Sequence, residues 1–199
     1  KLAELPLKFE PGTQWHYSVA VDITGLVVER ISGISFDRYL LDNLFKPLGM
    51  HDTFFEVPKN KMSRFLPSQY WDYANNQMAV VDVNGIPALG IIGGKAAMLN
   101  YEDVSLYSGG GGLVSTAADY MRFSEMLRNK GRFGERQILS PKTVKYMTIN
   151  HLSLIKAPVG SGESPTSAIF QGAGFGLGFG VVVDPVAQAS LGSRGTFMW

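Results

Sequence analysis

Phe9-Glu10-Pro11-Gly12-Thr13-Gln14-Trp15-His16-Tyr17-Ser18-Val19, followed by Ala20-Val21-Asp22-Ile23-Thr24-Gly25-Leu26-Val27-Val28-Glu29-Arg30-Ile31, decides how the rest of this chain is read. Pro11-Gly12 is a turn signal. Apolar residues at 19, 23, 26, 27 and 31 then fall at helical spacing before Gly33, a natural stop. Tyr17 thereby sits at the amino-terminal edge of a predicted helix, where a phenol can project into a pocket while the following turns anchor it. Gly25 inside the pattern either weakens the helix or marks close packing.

Outward from this helix, Ser35 caps a second one through about Leu44, with Phe36, Tyr39, Leu40 and Leu44 as its apolar stripe and Lys46-Pro47-Leu48-Gly49-Met50 as its stop. Residues 53 to 112, with Pro58, Pro67, Pro87 and many glycines, read as irregular structure around a surface or cleft, with short strands around 77 to 83. Gly109 to Gly112 lead to Ser115 or Thr116, either of which can cap a helix reaching Asn129; Thr116 and Asp119 have capping-box spacing, and Tyr120, Phe123 and Leu127 mark one face. Ser140-Pro141 reads as cap and first position of a helix near 141 to 150.

Residues 160 to 167 are rich in glycine and serine and read as a flexible connection. Residues 174 to 183 read as a strand packed closely at its glycines, with 191 to 199 as its antiparallel partner. The expected organisation is therefore a helical, loop-rich part over 1–150, a connection over 151–167 and a partial sheet over 168–199.

With 199 residues, 45% apolar and 18% charged, the composition is that of a folded globular chain. Eighteen basic residues are dispersed among seventeen acidic ones, for a net charge of +1. The concentrated positive footprint of a nucleic-acid-binding protein is absent, so no nucleic-acid partner is expected. No run approaches the roughly eighteen apolar residues of a membrane helix, and the first residues lack the pattern of a secretion signal. No membrane segment is expected. The absence of cysteine rules out disulfides and thiolate zinc sites but is compatible with cytoplasmic, periplasmic and secreted locations alike.

The order of these signals resembles the serine β-lactamase, penicillin-binding protein and family VIII esterase superfamily. The resemblance is carried by Pro11-Gly12-x-x-Trp15-x-Tyr17-Ser18 and its helix, Ile31-Ser32-Gly33, Leu44-Phe45-Lys46-Pro47-Leu48-Gly49-Met50, Gly111-Gly112-Leu113-Val114-Ser115-Thr116-Ala117, and the glycine-aromatic strand from 175. It implies an α+β, β-lactamase/transpeptidase-like fold, here incomplete: a predominantly helical subdomain with irregular segments plus part of the antiparallel sheet. Many β-lactamases and peptidases carry Tyr-x-Asn, which would put asparagine at position 19; Val19 stands there instead, a departure that resembles family VIII carboxylesterases, which keep the tyrosine without that asparagine. Gly192 to Trp199 similarly resembles the approach to the terminal Trp-x-Gly motif of those esterases.

In that family a serine in Ser-x-x-Lys attacks an ester or amide carbonyl, and the tyrosine moves protons between nucleophile and leaving group. The resemblance assigns Tyr17 as general base or proton relay. An isolated phenol has a pKa of about 10, so the role needs a neighbouring cation or coupled proton transfer. The family's Ser-x-x-Lys lies upstream of its tyrosine. The literal match here, Ser153-Leu154-Ile155-Lys156, follows Tyr17 and reads as coincidence. The implied reading is a fragment of a serine hydrolase acting on small esters, inactive alone, with no cofactor and with a complementing chain or a homo-oligomer left open.

An inactive structural or binding fragment and a β-lactamase or D-alanyl carboxypeptidase are the alternatives. Trp199 is either a wall of the substrate pocket or an ordinary core or surface aromatic, and Ser18 either faces the cleft or caps the helix. The glycines at 109 to 112 could expose backbone donors but lack the Lys-Ser/Thr of a phosphate loop. His16, His51 and His151 form no local ligand motif, so no metal is expected.

Overall fold

The computed structural model describes residues 4–16, 18–67, 69–80, 101–152, 171–189 and 191–199. Helix α1 (Ala20–Ser32) forms where the apolar spacing predicts it and ends at left-handed Gly33, whose N–H donates to Glu29 O at 2.9 Å. Gly25 is buried, and a Cβ there would stand 3.3 Å from the Phe36 ring, so it marks close packing. The Glu29 carboxylate accepts from Phe36 N at 2.8 Å, tying α1 to the next helix.

That helix, α2 (Phe36–Leu40), continues through a wide π turn (Leu41–Phe45) into α3 (Lys46–Leu48), past the end expected near Leu44. The wide turn has a physical cause. Pro47 has no N–H, and in a regular helix its ring would strike the carbonyl of Asn43; widening the turn gives that carbonyl room. Asp42 bridges Arg38 and Lys46, one helical turn to either side.

Beyond Met50 the chain is irregular, as its composition predicts. Lys59–Arg64 is a 3₁₀ turn, and β1 (Gln69–Asp72) pairs antiparallel with β2 (Gln77–Val80). The strand expected over 77–83 is seen through Val80; residues 81–83 lie outside the described residues. Phe54 and Val114 exchange backbone hydrogen bonds of 3.0 and 2.8 Å, leading into α4 (Ala117–Arg128).

Thr116 caps α4 by accepting from Asp119 N at 3.2 Å. The expected capping box closes only by half. Asp119 is 6% exposed, and its carboxylate turns away from the helix end to accept from Asp52 N at 2.7 Å and Thr53 Oγ1 at 3.0 Å. Satisfying those buried donors outweighs the reciprocal cap.

A short hairpin, β3 (Arg132–Phe133) and β4 (Arg136–Gln137), precedes α5 (Pro141–Met147), whose Ser140 cap accepts from Thr143 N at 3.0 Å. Residues 153–170, which hold the connection and the Ser153-to-Lys156 match, lie outside the described residues.

The stretch read as one strand over 174–183 is a hairpin, β5 (Ala173–Phe175) and β6 (Gly180–Val182), turned at Gly178 with φ of 88°. Only glycine adopts that backbone without strain. The expected partner is present as β7 (Phe197–Met198), antiparallel to β6 in a sheet of order β5-β6-β7.

Phe45, Leu48, Met50, Met126, Leu127 and Val144 make the core. Phe179 of the β5–β6 turn and Phe197 of β7 pack against it, with ring centroids 5.2 Å apart, so the sheet region and the helices share one apolar interior. The outward face of α1 is different: Val19, Ile23, Leu26, Val27 and Ile31 are all exposed. Among the described residues no helix is long and apolar enough to cross a membrane.

Candidate active site

The segment leading to Tyr17 is shaped by its turn. Thr13 donates to Glu10 O through its N–H at 3.2 Å and its hydroxyl at 2.6 Å, with Pro11 and Gly12 at the two central positions and Gly12 at φ of 82°. This is the geometry in which proline presets the first corner and glycine supplies the positive φ of the second. Beyond it, the Phe9 and His16 rings meet edge to face at 6.1 Å. Tyr17 itself lies outside the described residues. Ser18 is exposed, and its Oγ accepts from Ala20 N at 3.2 Å, so the hydroxyl serves the start of α1.

Sequence-distant aromatics converge on this segment. The rings of Trp15 and Phe175 lie 5.2 Å apart, tilted by 51°, and those of Phe175 and Trp199 lie 4.9 Å apart at 90°. Both separations fall in the favourable range for aromatic pairs. Phe175 therefore stands between the approach to Tyr17 and the far end of the sheet. It is fixed through its backbone: its N–H donates to Asn150 Oδ1 at 3.2 Å, and its carbonyl accepts from His151 N at 2.8 Å. Trp199 is 54% exposed, so part of its surface faces outward.

Sequence reasoning anticipated Trp199 as a candidate pocket wall, but gave Phe175 no place beside it. The available signal was only the alternation of phenylalanine and glycine at 175–179, which does not name a partner. Asp22 was also missed. It is the acidic residue in the first turn of α1, and it accepts hydrogen bonds from Ser108 Oγ and, at 3.3 Å, from Gly110 N. Among the described residues no three histidine or acidic side chains converge to hold a metal ion.

The beta-lactamase family profile matches this chain over residues 1–199. Protein Rv1367c of Mycobacterium tuberculosis is 32% identical over 208 residues, covering 100% of this chain and 46% of its own length. Lovastatin esterase of Penicillium rubens is 29% identical over 87% of this chain and 42% of its own length. Among solved structures, EstCE1, a hydrolase with promiscuous acyltransferase activity, superposes with a TM-score of 0.76 at 28% identity, over 100% of this chain and 48% of its own. The chain thus spans about half the length of the curated relatives it matches.

Proposed function

This chain belongs to the beta-lactamase family and has its mixed helical and antiparallel-sheet fold, and from that premise we propose that it carries the tyrosine and one pocket wall of a serine carboxylesterase. The observation that carries the reading is the ring contact from Trp15 through Phe175 to Trp199, which joins the approach to Tyr17 with the end of the sheet. An aromatic wall next to a proton-transferring phenol suits an uncharged ester with an apolar acyl or alcohol group. The likeness to lovastatin esterase supports ester chemistry. So does Val19, which cannot donate or accept a side-chain hydrogen bond where an asparagine would.

In this reading Tyr17 acts as a phenolate: a serine Oγ bonds to the ester carbonyl carbon, the carbonyl π electrons move onto its oxygen, and the serine proton passes to Tyr17 Oη. The same proton then goes to the departing alkoxide as the carbon–oxygen ester bond breaks, leaving an acyl-serine. Water repeats the exchange through Tyr17 and releases the acid. The nucleophilic serine and its lysine come from polypeptide outside these residues, because Ser153 to Lys156 follow the tyrosine rather than preceding it. In this reading a lysine beside the phenol supplies the positive charge that favours its ionised form. Ser18 supports the start of α1 by accepting from Ala20 N.

The test combines fluorophosphonate labelling and peptide mapping with hydrolysis of p-nitrophenyl acetate and butyrate by the native polypeptide that contains this sequence. The expected adduct lies on a serine other than Ser153, and Tyr17→Phe lowers kcat by about 10²- to 10⁴-fold. An adduct on Ser153 overturns the assignment of the nucleophile. No adduct and no ester turnover favours an inactive binding or structural protein, and cephalosporin turnover exceeding that of esters favours the β-lactamase reading.

A further inference from the structure

We infer that Asp22 is a positioning residue whose Oδ1 latches the glycine loop 108–112 onto the first turn of α1, beside the segment that carries Tyr17. Its catalytic consequence rests on the hydrolase reading above; the latch itself does not.

Ser108 Oγ and Gly110 N both donate to the same oxygen, Asp22 Oδ1, and Gly110 N also lies 3.2 Å from Ser108 Oγ. The contact spans 86 residues of sequence for Ser108 and 88 for Gly110, so it is a tertiary tie rather than a local turn. Loop and helix approach as closely as backbone allows. A Cβ on Gly109 would stand 2.4 Å from Val21 O, and one on Gly110 would stand 2.8 Å from Asp22 Oδ2. A side chain at Gly109 would push the loop off the helix backbone, and one at Gly110 would displace the Asp22 carboxylate.

The other end of the loop is held as well: a Cβ on Gly112 would stand 3.0 Å from the Phe55 ring, and Val114 pairs with Phe54. Between these anchors, a Cβ on Gly111 would meet nothing within 4 Å, so the loop borders open space there. Consecutive glycines have the largest backbone freedom to lose, and a fixed position for them requires anchoring from outside the loop. Asp22 provides it from the helix that begins just after Tyr17-Ser18.

A simpler role for Asp22 is available, since an acidic side chain in the first turn of a helix is stabilised by the helix dipole. The two roles differ in what they require. The dipole needs the negative charge, whereas the latch needs only one acceptor oxygen, which an asparagine also has.

The experiment compares wild type, Asp22→Asn, Asp22→Ala and Ser108→Ala in the native polypeptide, reading amide hydrogen exchange at Gly110 together with ester kinetics. Asp22→Asn is expected to keep Gly110 exchange and kcat within about threefold of wild type, because its amide oxygen can accept both bonds. Asp22→Ala is expected to speed Gly110 exchange at least about tenfold and to lower kcat by roughly 10- to 100-fold, with a smaller change in KM, as for a displaced site element. Ser108→Ala, which leaves α1 untouched, should give an intermediate exchange rate and reports on the latch if Asp22→Ala does not fold.

Unchanged Gly110 exchange in Asp22→Ala or, failing that, in Ser108→Ala overturns the latch. Faster exchange with unchanged kcat overturns the positioning role. Equal damage from Asp22→Asn and Asp22→Ala overturns the single-oxygen latch in favour of the charge. If the wild-type protein hydrolyses no ester, the hydrolase reading fails, while exchange at Gly110 still decides the latch.

Discussion

Met126 on α4 is wholly buried, whereas Leu26, Val27 and Ile31 on α1 are 47%, 48% and 82% exposed, although all of them occupy apolar positions at regular helical spacing. The two regions differ in what lies opposite them. The α4 face meets Leu48, Met50 and Val144, while the outer face of α1 meets none of the core residues. Spacing therefore records that a helix face calls for a cover; it does not say which part of a chain supplies it. Two residues near the candidate site lie on the open side: Ser18, just ahead of α1, is exposed, and Trp199, 54% exposed, stands at the edge of the sheet.

The contrast is most exposed to failure in the closed region. Met126→Ala removes a side chain with no exposure, and is expected to cost about 2–5 kcal/mol in urea unfolding, the range for large-to-small changes in a packed core. A loss below about 1 kcal/mol would mean that this core is as loosely covered as α1 and would remove the distinction.

Asp119 offers the next test. Its Oδ2 accepts from both Asp52 N and Thr53 Oγ1, so Asp119→Ala strands Asp52 N, leaves the Thr53 hydroxyl only Ser115 Oγ, and is expected to cost about 1–3 kcal/mol. Asp119→Asn keeps an oxygen for the same donors and should recover much of the loss. Thr116→Ala, which removes only the cap of α4, should cost about 1 kcal/mol. That order, measured in the same denaturant series, would show that burial rather than capping governs the closed region.

Acid probes its rim. Arg64, and then Lys61, hold the Asp52 carboxyl down to about 2, below the ordinary carboxylate value near 3.9. With the folded value below the unfolded one, the contribution of Asp52 to stability is fully present above the unfolded pKa. It is lost as pH falls from about 4 through 2. Asp52→Asn should therefore flatten the acid limb of a stability-against-pH curve in that window and leave its neutral limb parallel to wild type. An unchanged acid limb would show that the ion pairs at 2.6 and 2.9 Å do not hold Asp52 in solution.

What was legible in the sequence follows the same division between local and distant. The starts of α1, α4 and α5 could be read because caps and apolar stripes act within a few residues, and Thr116 and Ser140 both cap as expected. The helix through Pro47 ran further than expected because a wide turn relieves a clash that a regular pattern would treat as a stop. The strand over 174–183 became a hairpin because a glycine run fits a flat strand and a tight turn equally well until its neighbours decide.

At the candidate site, Tyr17 is proposed from a family motif and lies outside the described residues. The joining of Trp15, Phe175 and Trp199 and the hold of Asp22 on Ser108 were not legible in the sequence. These contacts close long loops of chain, and no periodic or capping signal records which distant residue will be the partner.

The smallest expected effect bears most directly on the open region. Leu26→Ser with Val27→Ser replaces two half-exposed apolar side chains on the outer face of α1. In the 199-residue chain alone the pair should shift unfolding by less than about 0.5 kcal/mol, as surface substitutions do. It should also reduce binding of a dye that reports exposed apolar surface. In the native polypeptide that contains this sequence, the same pair is expected to cost more, because a face covered there loses real contacts. A loss above about 1 kcal/mol in the 199-residue chain itself would show that the α1 face is already covered, and the contrast with Met126 would fall. Equal, negligible losses in both settings would show instead that the apolar stripe of α1 is a tolerated surface feature, and that its spacing calls for no cover.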